Sequence, residues 1–556
     1  MQLLLLPRLI PWVINGMKVT VVFNNIKLPI NASVKEAFSV ARHRLCKLVS
    51  CDNASFAVYK RSIDARHKDN IQFVYSISAS LDAEILTKIT PEKLKVADAT
   101  LVDREFPQPK TGAQELSSPP VVVGTGPCGL FCALLLAEWG YNPVVLERGG
   151  TVEERRLAID RFNTFHILDQ DTNIQFGAGG AGTFSDGKLV TRVNDPLTAY
   201  VIERFIEFGA PENIRYVAKP HVGTDILSVI VEKMLDRIVE LGGRIEYHTK
   251  FISPKVNSGR ITHVVTNRGE LEAGALVLAI GHSARDTYES LMKLGVSIEA
   301  KSFSVGMRIE HLAYDIDCAM YGDFAGHDAL GHAEYTLSHN TKERGVYTFC
   351  MCPGGVVVAA ASEEGGVVVN GMSYHSRSGI NSNSAVACTV FREDYGATPM
   401  AAINFQRKIE KEAFASGGGD YSAPIITVGD FLDGKCKTEP TTIKPTYMSG
   451  SSIRLAPPEL YLPKFITESI KNALLAFDRR ISGFASPSAV LTGAETRTSA
   501  PVRILRDPQT RLATGYDNFY PAGEGAGYAG GITSAAVDGI RTAISLIETY
   551  KPLLHR

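Results

Sequence analysis

Apolar and polar positions alternate with period two over Lys18–Asn24, and the runs Ser55–Tyr59 and Ile71–Ile77 read as two more strands of the same kind. Between the first and second runs, Val34, Ala37, Phe38, Ala41 and Leu45 recur at helical spacing, and Ser33 stands where a helix is capped. The charged stretch Lys60–Arg66 reads as a turn between the two later strands. Together these elements predict a small α+β unit over residues 18–102, with a ferredoxin-like fold as the candidate. Residues 103–120 carry Pro107, Pro109, Gly112, Ser117 and Ser118 and close on Pro119 and Pro120, which is the composition of a linker. For residues 1–17, apolar at Leu3–Leu6 with Arg8 after them, two readings stand: a targeting or extension segment, or a true start at Met17.

From Val121 the pattern changes to strand, glycine turn, helix, strand. The helix has apolar positions at Leu130, Phe131, Leu134, Leu135 and Leu136, and the second strand is Pro143–Leu146. Ala275–Gly281 reads as another buried strand, and the theme returns at Asn518–Pro521, followed by glycines and a helix from about Thr533 to Tyr550. A sheet assembled from pieces so far apart implies an insertion. Residues 300–490, rich in β-branched runs and Gly turns, are expected to form it as a mostly β domain followed by helices. The nucleotide-binding part then spans 121–299 and 491–556. No apolar run reaches the roughly 18 residues that cross a bilayer, so no stable membrane insertion is expected.

Composition alters this picture little. The 556 residues are 45% hydrophobic and 21% charged, with a net charge of −1, so no global basic field draws in nucleic acid or an acidic membrane. Length alone suggests two or three domains. Nine scattered cysteines without a regular framework read as reduced thiols of an intracellular protein, cytoplasmic or organellar. No Cys/His spacing suggests zinc, and no metal is expected.

The chemistry concentrates in glycine clusters. Gly124-Thr125-Gly126-Pro127-Cys128-Gly129 is G-x-G-x-x-G placed directly after a strand and at the start of a helix. Gly124 suits the tight turn, Gly126 the approach of a pyrophosphate, and Gly129 close helix–strand packing. Pro127 falls at the first helical position, where its missing N–H is no loss, and the helix start faces an anion. Glu147 ends the second strand 23 residues after Gly124, near the ~20 expected of the acid that accepts from a ribose hydroxyl. Arg148 beside it is a candidate for adenine or phosphate.

A second cluster, Asn173–Lys188, includes Gly177, Gly179, Gly180 and Gly182 between Phe176 and Phe184, and is expected to lie against a flat ligand. A third runs through Gly523, Glu524, Gly530, Gly531 and Ile532 into the last helix. A second contact some 400 residues downstream suits an extended dinucleotide, with Glu524 on a ribityl hydroxyl and the helix start near the ring. FAD rather than NAD is the expected cofactor. Gly124–Gly129 with Glu147, then Ala279-Ile280-Gly281, then Gly523-Glu524 resemble the three FAD fingerprints of the glutathione-reductase-like flavoproteins. Arg61–Arg66, the 173–188 loop, Cys352–Gly355, Asn370–Ser373 and Glu495–Thr498 resemble more closely a poorly characterised family of FAD-dependent dehydrogenases that carries an extra N-terminal domain. This resemblance covers nearly the whole chain beyond Met17. It implies bound FAD and redox activity but no substrate. The expected fold is thus α/β: a Rossmann-like FAD-binding domain, an inserted mostly β substrate or cap domain, and a small N-terminal α+β domain.

Because the flavin carries the hard step, a catalytic side chain need not exist. Residues 149–190 contain no cysteine, which argues against a disulfide-reductase mechanism. Cys350-Met351-Cys352 reads as a pair of buried reduced thiols, with a redox role as the alternative. Arg308 either binds an anionic substrate or pairs with an acid. Glu495 and Arg497 face either the flavin or each other as a salt bridge. His375, in the polar loop Ser373–Arg377, is a candidate acid or base. No second G-x-G-x-x-G follows a convincing strand, so electrons are expected from the substrate or another donor. The reading is an FAD-dependent oxidoreductase of dehydrogenase or reductase type acting on a small molecule. The alternatives are a flavoprotein that modifies or binds nucleic acid such as tRNA, kept in view by Lys435, Lys437, Lys444, Arg454, Lys464, Lys471, Arg479 and Arg480, and a non-catalytic FAD-binding scaffold. In each case the N-terminal unit is a candidate partner-binding module.

Overall fold

In the computed structural model, which describes residues 18–82, 89–102, 106, 108–191, 195–396 and 398–553, the N-terminal strands form a four-stranded antiparallel sheet. Residues 1–17, with the expected targeting segment, lie outside the described residues. Across this sheet the order is Ser55–Asp64, Gln72–Asp82, Lys18–Pro29 and Ala99–Val102. Helix Val34–Cys46 begins in a capping box between Ser33 and Glu36 and buries Ala37, Ala41 and Leu45. With the short helix Pro91–Val96, the connectivity is β-α-β-β-α-β, that of a ferredoxin-like unit.

Two expectations are corrected here. Lys60–Asp64 is strand rather than turn: Arg61, Ile63 and Asp64 pair with Tyr75, Phe73 and Gln72 after a bulge at Val58/Lys60. Backbone pairing decides, and the charged side chains have places of their own, with Arg61 over the rings of Phe73 and Tyr216. Cys46 and Cys51 form a disulfide, since the helix end and the following turn bring their Cα atoms to 5.3 Å. Cysteine usage therefore no longer argues for an all-thiol protein.

The strand carrying Arg61 also joins the unit to the body of the chain. Arg61 N–H donates to Tyr216 O at 2.7 Å, and Ala218 N–H donates back to Arg61 O at 2.8 Å. The stretch expected to be a linker is itself pinned, with Gly112 and Gln114 N–H donating to Ile547 and Thr549 carbonyls.

The body holds two principal sheets. The first has five parallel strands in the order Phe519–Pro521, Leu276–Leu278, Val121–Val123, Val144–Leu146 and Arg244–Glu246. Four of its strands are apolar and buried on both faces, as a covered parallel sheet requires, while the edge strand Arg244–Glu246 is charged and partly exposed. Val122 packs into the core beneath helices Pro127–Glu138, Thr224–Glu240 and Ile532–Thr549, while Val121 and Val123 face a second core with Phe251, Tyr288 and Leu291. The second sheet has seven strands, ordered Ser338–Asn340, Gly345–Cys352, Asn381–Val390, Phe303–Leu312, Val490–Glu495, Ala423–Thr427 and Ile453–Leu455. All pairs are antiparallel except the last. Val490–Glu495 lies inside this sheet, so a boundary at 490 cuts off one of its strands; the chain leaves the sheet after Glu495. No helix among the described residues is long and apolar enough to cross a membrane.

Candidate functional site

The parallel sheet ends in the glycine turn. Gly124 has φ +100°, and a Cβ there would lie 2.5 Å from Ala279 O; one on Gly129 would lie 1.9 Å from Gly124 O. Only glycine lets the turn and helix seat on the sheet this closely. Helix Pro127–Glu138 starts from Gly126 with no side-chain cap, which leaves its first-turn N–H groups facing outward.

Glu147 is the hub of the adjoining loops. One carboxylate oxygen accepts from Thr125 N–H at 3.1 Å and from the Thr125 hydroxyl; the other accepts from Gly149 and Gly177 N–H, both at 3.0 Å. All four of its lone-pair positions are therefore taken within the protein. Of these four donors only the Thr125 hydroxyl belongs to a side chain. Arg148 is held differently from the expected adenine or phosphate contact. It pairs with Asp171 at 2.7 Å and Asp286 at 2.9 Å, and stacks over Phe176 at 4.1 Å.

The glycine-rich loop is shaped by a residue that the sequence did not flag. Arg155, fully buried, donates to the carbonyls of Asn173 (2.7 Å), Ile174 (2.6 Å), Ala178 (2.8 Å) and Gly180 (2.8 Å). Burial pulls its pKa down to about 9, opposed by the charge of Glu147. Its helix, Val152–Phe165, reads as a run of solvated charges, and nothing in that run marks the one arginine that turns inward.

At the opposite end, Gly523 N–H donates to Asp538 at 2.7 Å, and Glu524 meets His282 Nδ1 at 3.0 Å. His282 Nε2 is buried without a partner. A Cβ on Gly281, Gly530 or Gly531 would meet nothing within 4 Å. These open positions, the unpartnered imidazole nitrogen and the uncapped helix line one cavity of about 330 Å³ running from Glu147 and Arg148 to Gly530–Ile532. Such a lining fits an extended dinucleotide. Of the expected contacts, Gly124, Gly126, Pro127, Cys128, Gly177, Gly180, Gly182, Gly281 and Glu524 also line it, whereas Gly129, Gly179 and Gly523 pack behind its wall.

The seven-stranded sheet closes the cavity with Phe349 and Cys350, joined by Asn370 from the two-stranded pair Val356–Ala359 and Val369–Met372, and by Arg497 and Thr498 beyond the Val490–Glu495 strand. The catalytic candidates separate here. Arg308 is fully buried, gripping both Glu495 oxygens at 2.8 Å and Asn383 Oδ1 at 2.7 Å. Of its two readings, pairing with an acid holds. Burial pushes Glu495 up to about 7, and Arg308 opposes the shift. The alternative reading of Glu495 and Arg497 as a bridge to each other does not hold. Arg497 borders the cavity but donates to Glu410 (3.0 and 3.2 Å) and Ser362, and Glu410 is shared with Arg285. His375 is away from the cavity, its ring stacked on His221 at 5.2 Å and its Nδ1 against Val222 O at 3.0 Å. Packing of its loop against Gly223 removes it from the site. Among the lining residues that went unmarked as site residues in the sequence are Asp186, Lys188, His282 and Asn370, and Cys350, weighed there as a thiol, joins them at the wall. Lys188 lies 3.6 Å from both Asp186 and Glu334, and Arg377 clamps the same two acids.

A glycine turn on a parallel sheet, a distal glycine segment on the same sheet and one cavity joining them define an FAD-binding flavoprotein. Residues 302–498 match the family model described as "FAD-dependent protein, C-terminal domain-like", and residues 22–80 match a domain of unknown function. A protein of Clostridium beijerinckii, described as "Uncharacterized protein", is 43% identical over 531 residues, covering 94% of this chain and 98% of its own. The chain belongs to its family, a poorly characterised family of FAD-dependent proteins, and FAD is the cofactor. Among solved structures, an L-amino acid deaminase from Proteus vulgaris aligns over 81% of this chain and 98% of its own at 14% identity and a TM-score of 0.32. An L-proline dehydrogenase from P.horikoshii aligns over 78% and 93% at 12% identity and a TM-score of 0.32. Likeness this low carries no inference about this chain.

Proposed function

We propose that the chain is an FAD-dependent oxidoreductase of dehydrogenase or reductase type that acts on a small molecule. The observation that supports this best is the composition of that cavity: nucleotide-type turns along its length, and a wall of reactive and polar side chains, Lys188, Cys350, Asn370 and Thr498, where the seven-stranded sheet meets it. In this reading the glycine turn and the first N–H groups of helix Pro127–Glu138 hold the pyrophosphate. The loop hub at Glu147 receives the adenosine end. Glu524 and the start of helix Ile532–Thr549 hold the ribityl–ring end, where the positive helix end favours negative charge on the ring. The flavin supplies the two-electron chemistry when bound. The side chains of the large sheet position the substrate and exclude water. The N-terminal unit serves as a partner-binding module. Nucleic acid is not the proposed substrate: Lys435, Arg454 and Lys471 already sit against Asp433 (2.7 Å), Asp420 (3.4 Å) and Glu459 (3.1 Å).

The test is the visible spectrum of the purified protein before and after anaerobic addition of NADH or NADPH. Flavin bands near ~370 and ~450 nm are expected of the oxidised ring. Bleaching by a nicotinamide assigns a reductase, and a flavin reduced only by another small molecule assigns a dehydrogenase. A colourless protein that takes up no added FAD overturns the reading.

A further inference from the structure

The strand Gly345–Cys352 brings two cysteines to the cavity wall. Cys350 and Cys352 lie two residues apart at the end of this strand, where its regular alternation breaks. The pairing with Asn381–Val390 slips at this point: Phe349 faces Ala385 but Cys352 faces Asn383, so three steps on one strand match two on the other. This is a bulge, a device that re-aims a side chain. Cys350 sits in it with φ +45°, a conformation that a side-chain-bearing residue rarely adopts and that clusters at functional sites. Cys350 is half-buried and lines the cavity, while Cys352 is fully buried behind it.

Arg308 links the two. Its guanidinium donates to Cys350 O and lies 3.5 Å from Cys352 Sγ, and Cys352 Sγ lies 3.4 Å from Cys350 O. The pair is asymmetric. The hydrogen bond from Cys352 brings the Cys350 thiol down to about 6, helped by Arg308 and Lys188 and opposed by burial and Asp186. Burial holds Cys352 well above the ordinary range. A cavity-facing thiolate beside a protonated partner is what thiol–disulfide chemistry requires. Cys132 and Cys388 show the contrast: neither lines this cavity, and burial raises both, Cys132 to about 12.

We propose that Cys350 and Cys352 are a dithiol–disulfide couple that exchanges an electron pair with the flavin of this cavity. On oxidation, the Cys350 thiolate sulfur and the Cys352 sulfur join in one S–S bond as the Cys352 S–H bond breaks. The two electrons and that proton pass to the oxidised ring, which becomes the singly protonated, anionic reduced flavin. The reverse step cleaves the disulfide and returns the ring to its oxidised form, so atoms, charge and electrons balance. Arg308, anchored by Glu495, is a positioning residue for this couple. The inference rests on FAD filling the cavity.

Two measurements test it. The tryptic peptide that follows Arg344 and ends at Arg377 contains only these two cysteines. In holoprotein oxidised by air or diamide, it is expected to be lighter by two hydrogens and closed to alkylation, and to open after anaerobic reduction of the flavin. In anaerobic dithionite titration, the oxidised wild type is expected to take up two electrons more per chain than Cys350→Ser or Cys352→Ser. The Cys46–Cys51 disulfide contributes equally to all three proteins. Both thiols remaining alkylatable after oxidation, equal electron counts, or a Cys350 peptide carrying the mass of a flavin would each overturn the proposal. The peptide mass is read on the wild type, so it stands even where a variant fails to fold. Failure of the proposed function shows separately, as a protein without flavin absorbance.

Discussion

Arg155 has no carboxylate partner and four carbonyl partners, all in the loop that borders the cavity. Replacing its side chain leaves the Asn173, Ile174 and Ala178 carbonyls buried without donors, while Gly180 keeps the Thr183 N–H, at about 1–3 kcal/mol for each that finds no water. Arg155→Met is therefore expected to lower stability by at least about 3 kcal/mol and to weaken FAD binding more than tenfold, read by denaturant unfolding of the apoprotein and by flavin fluorescence titration. Arg155→Lys, with three donors on a point charge rather than a planar fork, should fall between. FAD affinity equal to wild type in both variants would show that the loop keeps its shape without the guanidinium. Arg155 could not be singled out beforehand, because Glu153, Glu154, Arg155 and Arg156 look alike in the chain, and only the fold turns one of them inward.

The elements around the cavity use glycine in two ways that sequence alone does not separate. Gly129 sits where helix and sheet touch, and a Cβ there would meet Gly124 O at 1.9 Å. Gly531 precedes the last helix in an extended conformation, with open space around it. Gly129→Val is expected to prevent folding of the nucleotide-binding sheet, seen as loss of soluble protein or of cooperative thermal unfolding. Gly531→Val is expected to leave thermal unfolding of the apoprotein unchanged while filling part of the cavity, so that FAD is lost on gel filtration. If Gly531→Val retains full flavin, the cofactor does not approach this helix start. The strands show the same division. The apolar runs Val121–Val123 and Leu276–Leu278 were legible, because a covered parallel strand is apolar on both faces. The strand character of Lys60–Asp64 was hidden, because pairing across the sheet overrides a charged local composition.

For the whole molecule, the cavity wall is assembled from both principal sheets and from segments as distant as Gly124 and Ile532. A ligand bound there stabilises only the folded chain, by about 2.7 kcal/mol at a hundredfold excess over its Kd. Added FAD is accordingly expected to raise Tm of the apoprotein in one cooperative transition that includes the seven-stranded sheet. This can be read by scanning calorimetry together with hydrogen exchange at Asn381–Val390. Protection confined to the parallel sheet would mean that the large sheet takes no part in holding the cofactor.

The sequence by itself determined the glycine turns and four of the five parallel strands, because each is written in short local patterns, glycine spacing after a strand and apolar runs; the charged edge strand Arg244–Glu246 carries no such pattern. Only the tertiary structure decided which charged residues are spent on one another and which face the cavity. Arg308 met Glu495, Arg497 met Glu410, and His375 left the site, while Cys350, Lys188 and Asn370 came to its wall. These outcomes depend on contacts between residues 87 or more positions apart, and on a single bulge that turns Cys350 toward the cavity. Spacing along the chain carries no information about either.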